Sequence, residues 1–327
     1  MIGFAFGSLG LAVIIFAALS WAGARHLEVK AEPTGQLVEV DGTVLHLVEK
    51  GRADPSRPSL IFVHGASSNY RDFHFALEAK LAKRFGDGLH RIYVDRPGQG
   101  ASGRLDGDHA PDVQAQRILA AARSLGAQKA IVVGHSWGGS VVAQMVLQPG
   151  EGEVGAVFVA PATHPWPGDR FEGVDWHYAL ADTPFVGWLF TRLIVVPIAW
   201  FMVPDGVENA FAPEAAVPGY AKTLRARLVL RPRAFQANAE DVHRLRRFVI
   251  AKAPRYQQIK RPVHIVTGDA DGVVWAHIHS DGLERDIEGA VKTVIEGAGH
   301  MPHQTHPDTI LDAIDDVMQR AEQERSA

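Results

Sequence analysis

Six short runs of β-branched and aromatic residues govern what this chain can become. They are SLIFVHG (59–65), RIYVD (91–95), AIVVGH (130–135), VGAVFVAP (154–161), PVHIVTGD (262–269) and VKTVIEG (291–297). SLIFVHG is a continuous apolar run, as a strand buried on both faces of a parallel sheet requires, and the other runs continue the same rhythm. Helical patterns at 71–84, 111–125, 136–147 and 307–324 separate or follow them, so strands and helices alternate. Upstream, QLVEV and TVLHLVEK flank Asp41-Gly42, a two-residue hairpin signal. The expectation is an α/β fold built on a mostly parallel, doubly wound sheet. Residues 163–257 interrupt the rhythm and read as helices separated by prolines, a helical cap insertion between sheet strands. The segments are then 1–26, the core in two parts at 27–162 and 258–327, and the insertion at 163–257.

The N-terminus follows another rule. Ile2 to Ala24 is 23 residues without a charge. As a helix it extends about 35 Å, enough to cross a hydrocarbon core of roughly 30 Å. It reads either as a single N-terminal hydrophobic helix that anchors the chain, with membrane lipid as its partner, or as a signal peptide. For the latter, Ala22-Gly23-Ala24 resembles a small-x-small cleavage site and the remainder is exported. The absence of Lys or Arg before the run, and its length, favour the anchor. Arg25 and Lys30 beyond it lean the catalytic part toward the cytoplasm, against which Glu28 and Glu32 stand.

Composition excludes several chemistries. A net charge of −4 gives nucleic acid no reason to bind. The absence of cysteine removes disulfides, thiolate catalysis and Cys-ligated metals. Sixteen histidines are scattered without an H-E-x-x-H pair, so neither a metal nor another cofactor is expected. Oligomeric state is left open.

The chemistry concentrates at Gly134-His135-Ser136-Trp137-Gly138, a G-x-S-x-G pattern between a strand and a helix. A strained bend there pushes a hydroxyl outward, and the flanking glycines let other backbone pass closely. The helix that follows aims its positive end at developing negative charge. A plain serine N-cap is the alternative. A nucleophilic serine needs a base, and the base an orienting carboxylate. GDADG (268–272) and GAGHMPH (297–303) follow the last two strands, at the C-terminal strand ends where open α/β sheets build sites.

From about Leu37 onward the chain resembles the α/β-hydrolase superfamily, through HGASS, DRPGQGAS, GHSWGG, GDADGVV and GAGHMPH…HP in that order. The resemblance implies Ser136 as nucleophile, Asp271 as acid and His300 as base. It implies the backbone N–H groups of Ala66 and Trp137 as the oxyanion hole. Asp269 competes for the acid, and His303 and His306 for the base; the last two are expected in the following loop or at the cap of the last helix. His64 and His135 are expected to pack or hydrogen-bond beside the site, and residues 95–102 to form a turn without chemistry. Dehalogenases and epoxide hydrolases of this superfamily resemble GHSWGG but carry Asp as nucleophile. Attack by Ser136 on an epoxide or alkyl halide leaves an inert ether, so an acyl carbon is expected as the target.

The implied function is a membrane-associated serine esterase, lipase-like, acting on a small-molecule acyl substrate. Carbon–carbon bond hydrolysis, perhydrolysis, peptide cleavage and acyl transfer use the same triad, and a non-catalytic binding member of the fold is the remaining option. Within the insertion, residues 184–204 are apolar enough to suggest a membrane crossing. A crossing would separate Ser136 from Asp271 and His300, and Arg192 and Pro197 interrupt the run. Phe185, Trp188, Leu189 and Ile194 are instead expected to roof an acyl pocket or dip into the bilayer interface. Residues 222–261 hold 12 Lys and Arg against Glu240 and Asp241, either a headgroup-binding segment or a solvated face.

Overall fold

The structure, a computed structural model, describes residues 2–147, 152–167 and 176–326. Residues 168–175 of the expected insertion, and the side chains of 2–10 and 12 in the apolar N-terminal run, lie outside the described residues. Eight strands form one sheet in the order β1-β2-β4-β3-β5-β6-β7-β8. They are β1 (Gln36–Val40), β2 (Thr43–Lys50), β3 (Ser59–Val63), β4 (Arg91–Val94), β5 (Ala130–His135), β6 (Glu153–Val159), β7 (Val263–Gly268) and β8 (Val291–Ile295). β1 and β2 pair antiparallel, as do β2 and β4; every pairing from β4 to β8 is parallel. At the first hairpin Asp41 and Gly42 take φ 47° and 80°, the two positive values that a tight right-twisting turn demands.

Helices follow in chain order: α1 (Ile2–Lys30), α2 (Arg71–Phe85), α3 (Pro111–Ser124) and α4 (Trp137–Leu147). Between β6 and β7 come α5 (Trp176–Ala181), α6 (Val186–Phe190), α7 (Val196–Ala199), α8 (Val203–Phe211), α9 (Tyr220–Leu224) and α10 (Pro232–Lys252). After β7 stand α11 (Ala276–Asp286), α12 (Pro302–Thr305) and α13 (Pro307–Ser326). Side chains of a strand alternate between faces, and the core divides accordingly. Ile61 and Val63 join Ile118, Val141 and Val142 of α3 and α4. Leu60 and Phe62 join Phe73, Leu77, Ile310 and Ile314 of α2 and α13. Both faces of the sheet are covered, which is why β3, β5 and β7 are buried at every position.

The inserted helices sit over the carboxyl ends of the strands. Asn238 of α10 accepts from the Ser67 amide at 2.6 Å, and the Asp241 carbonyl accepts from Trp137 Nε1 at 2.9 Å. Arg96 and Arg104 both reach the fully buried Asp241, at 2.6 and 2.9 Å. Part of the basic excess of residues 222–261 is met from elsewhere: Arg231 pairs with Glu28, Arg244 with Asp182 and Lys252 with Asp112.

α1 runs past the apolar stretch and ends against the insertion. Leu27 and Ala31 are buried with Ala181, Val195, Val196, Leu228 and Leu230, and Arg225 donates to the Lys30 carbonyl. Among the described residues no single helix is long and apolar enough to cross a membrane. The pair Val186–Ala199 and Val203–Phe211, bent by 77°, reaches that length and composition only together.

Candidate active site

Ser136 lies between the end of β5 and the start of α4, with φ 52°. A non-glycine residue holds this left-handed conformation only when its surroundings impose it. They do so through glycines. A Cβ on Gly65 would come within 3.0 Å of the Ser136 Cβ, so the backbone after β3 lies directly against the serine. A Cβ on Gly138 would collide with the Val63 and His64 carbonyls, so the first turn of α4 rests on β3.

Three expected residues come together. His300 Nε2 stands 2.9 Å from Ser136 Oγ, and His300 Nδ1 stands 2.7 Å from Asp271 Oδ2. The other oxygen of Asp271 accepts from the amides of Val273 and Val274, at 2.8 and 2.9 Å, which fixes the carboxylate plane. Ser136, Asp271 and His300 are all at least nine-tenths buried. Asp269 is exposed and accepts from the Gly297 amide instead, away from His300. Trp137 is the first residue of α4, so its N–H has no acceptor within the helix. Ala66 follows Gly65, whose backbone touches the serine. Trp137 directly follows Ser136 in the chain, and Ala66 follows the glycine packed beside it.

Other expectations resolve differently. Phe185 and Trp188 are 72% and 47% exposed, pointing outward, while Leu189 and Ile194 are half-buried. None of the four belongs to the hydrogen-bonded network of the triad. His64 accepts from the Arg96 amide, and His135 Nε2 donates to the His300 carbonyl at 2.9 Å. Residues 95–102 do form a turn, and Asp95 anchors it: His46, the Tyr70 amide and the Ala101 amide all reach its carboxylate.

His303 corrects the sequence reading. It is neither in a loop nor at the cap of the last helix, but fully buried on α12, 3.1 Å from Asp72. The strand-end pattern carries no sign of this pairing, because its partner is 231 positions away. Asp72 also accepts from Tyr220 of α9 at 2.9 Å and from Gln304 at 2.8 Å. Burial alone would raise the Asp72 carboxyl, but the charge and hydrogen bond of His303 outweigh it and hold the group well below the usual carboxylate range. The rings of His300, His135 and His303 follow one another at tilted angles, with centroids 4.8 and 4.4 Å apart. Metal-capable atoms of Asp72, His135 and His303 lie within 4.8 Å of one another, which their spacing in the chain conceals. The Asp72 carboxylate is already engaged by three side-chain donors on one oxygen, and Ser68 bonds the other. The cluster is thus a hydrogen-bonded hub joining α2, α9 and α12.

Comparison with known proteins agrees with this architecture. Residues 60–313 match the model of the alpha/beta hydrolase family. Epoxide hydrolase A of Mycobacterium tuberculosis is 30% identical over 112 residues, which is 34% of this chain and 33% of that protein. The first curated relatives are thus matched over about a third of their length or less. The 2-(acetamidomethylene)succinate hydrolase of Mesorhizobium japonicum is 26% identical over 85% of this chain and 92% of its own. A solved structure described as a membrane phospholipase A shares the fold, with a TM-score of 0.64 at 19% identity, covering 97% of this chain and 99% of that one. With the matched span, the strand order and the strand–serine–helix turn in agreement, the chain belongs to the alpha/beta hydrolase family.

Proposed function

We propose that the protein is a serine hydrolase that cleaves carboxylic esters through an acyl-enzyme. The observation that carries this is the relay Ser136 Oγ, His300 Nε2, His300 Nδ1 and Asp271 Oδ2, at 2.9 and 2.7 Å. With Nδ1–H donated to Asp271, Nε2 keeps its lone pair toward the serine and can take the hydroxyl proton as the oxygen attacks. The amides of Ala66 and Trp137 then receive the oxyanion, helped by the positive end of α4. Collapse expels the alcohol, protonated by His300, and water repeats the cycle on the acyl-serine.

The epoxide hydrolase named among the relatives is not the model for this chain. An alkyl–serine ether offers no carbonyl at which water can release product. Labelling by a fluorophosphonate, which phosphonylates an activated serine, tests the proposal. Wild type should label and Ser136→Ala should not; an unlabelled wild type would remove the serine-hydrolase reading.

We infer that α1 holds the enzyme at a membrane. Support comes from the 23 uncharged residues from Ile2 and from Leu11, Ile14 and Leu19, all more than half exposed on the helix. Full-length protein should stay with membranes through carbonate washing, and removal of residues 1–25 should release it. A site near a bilayer suits lipid-like esters. Each buried methylene contributes about 0.8 kcal/mol, so kcat/KM for p-nitrophenyl esters should rise from acetate to hexanoate.

A further inference from the structure

Between positions 185 and 202 the inserted helices present an apolar face to the outside. Phe185 is 72% exposed, Val186 50%, Trp188 47%, Ile198 48%, Phe201 78% and Met202 60%. Isolated exposed apolar residues are ordinary, but a concentration of this kind marks a contact surface. Its apex is the break between the two helices bent by 77°, where Phe201 and Met202 stand.

Three features identify what covers it. First, α1 packs on this same part of the insertion. The Gly23 backbone faces Val196, and Leu27 is buried against Val195 and Val196, so the exposed apolar residues of α1 adjoin the patch. Second, three arginines lie over tryptophan rings here: Arg25 on Trp21, Arg192 on Trp188 and Arg227 on Trp200, at 5.8, 4.6 and 4.8 Å from the centroids. Tryptophan and arginine together suit the headgroup level, where rings sit at the boundary and guanidinium groups reach phosphate. Third, the segment cannot cross completely. Asp205 and Glu208 are exposed on α8, and the triad draws residues from both sides of the insertion into one hydrogen-bonded site.

We propose that the bent segment 185–202 is a second membrane contact, a wedge seated in the interface of an anionic phospholipid leaflet beside α1. It enters and returns on one side, with Phe201 and Met202 deepest and the Arg–Trp pairs at headgroup level. Because the insertion also holds the triad's surroundings through Asn238 and Asp241, lipid contact bears directly on the elements over Ser136. This builds on the membrane reading of α1, and the test separates the two.

The chain has no cysteine, so single labels are clean. Full-length protein carrying Phe201→Cys, Trp188→Cys, Ile14→Cys or Glu288→Cys is labelled with an environment-sensitive dye and reconstituted in vesicles of phosphatidylcholine and phosphatidylglycerol. Glu288 lies at the amino end of β8, opposite the inserted helices. Nitroxide-labelled lipid should quench labels at 201 and 188 at least twofold and leave the label at 288 unchanged. Quenching at 14 but not at 201 or 188 would overturn the wedge and leave the anchor standing. Quenching at 201 and 188 without 14 would support the wedge and sink the anchor. Labels at 201 and 188 shielded without lipid quenching, in step with protein concentration, would assign the face to a second copy and overturn the proposal.

Discussion

At the residue scale the assignments separate cleanly by hydrogen bonding. Asp271 spends one oxygen on His300 and the other on two amides, whereas Asp269 serves only the Gly297 amide. Asp271→Asn keeps the shape but supplies an NH2 or a neutral oxygen where His300 Nδ1–H donates. Turnover of a soluble ester should fall by about 10⁴-fold, as loss of the orienting carboxylate does in such triads. Asp269→Asn should cost less than tenfold. The reverse order in a steady-state assay would move the acid to Asp269. Ser136→Ala and His300→Ala should each lose several orders of magnitude with circular dichroism unchanged. These residues are legible from the sequence because each stands at a short, fixed offset after a strand of the sheet. Asp72 is not, since Tyr220 and His303 reach it from 148 and 231 positions away. No local pattern distinguishes it from an ordinary acidic residue in the first turn of α2.

At the element scale, α10 is held by a buried charge. Asp241 and Arg96 are both fully buried, and Arg96 also donates to the His64 and Gly65 carbonyls and lies over the Trp137 ring at 4.1 Å. One guanidinium therefore connects the helix of the insertion, the backbone before Ala66 and the residue after Ser136. Asp241→Asn strands Arg96 without its counter-charge, and removal of one partner from a buried pair costs about 3–5 kcal/mol. Denaturant unfolding should show that loss together with reduced turnover, because the Gly65–Ala66 backbone loses its brace. Glu240→Gln, whose partner Arg104 keeps Asp241, should cost under about 1 kcal/mol. Equal effects of the two would show that Arg96 does not brace the site. The strands and long helices are legible because burial on two faces or on one stripe leaves a period in the sequence. The insertion is less so. Its apolar residues look alike whether they line a pocket or face outward, and only packing against α1 and the sheet decides which, as Phe185 and Trp188 show.

At the scale of the whole molecule, the fold depends on histidines kept neutral inside it. Burial pushes His64 down to about 4 and His279 down to about 3, and holds His135 well below its ordinary value. Two of them accept hydrogen bonds that need the neutral ring: His64 accepts from the Arg96 amide, and His279 Nδ1 accepts from the amides of Thr163 and His164. The unfolded chain binds protons on these rings near pH 6.5, while the native state refuses them until much lower pH. Their contribution is thus intact above about 6.5 and is lost progressively as pH falls toward 4, at up to about 1.4 kcal/mol per pH unit for each ring. The carboxyls of Asp72 and Asp95, held low by His303 and His46 against the opposing pull of burial, extend the loss below that window. Melting temperature should be nearly level above pH 7 and drop steeply between 6.5 and 4. His279→Asn places an amide oxygen where Nδ1 accepted, without a group that titrates. Its melting curve should therefore fall less steeply than wild type across the same window, even if it starts lower. An unchanged slope would show that His279 takes no part in the acid sensitivity.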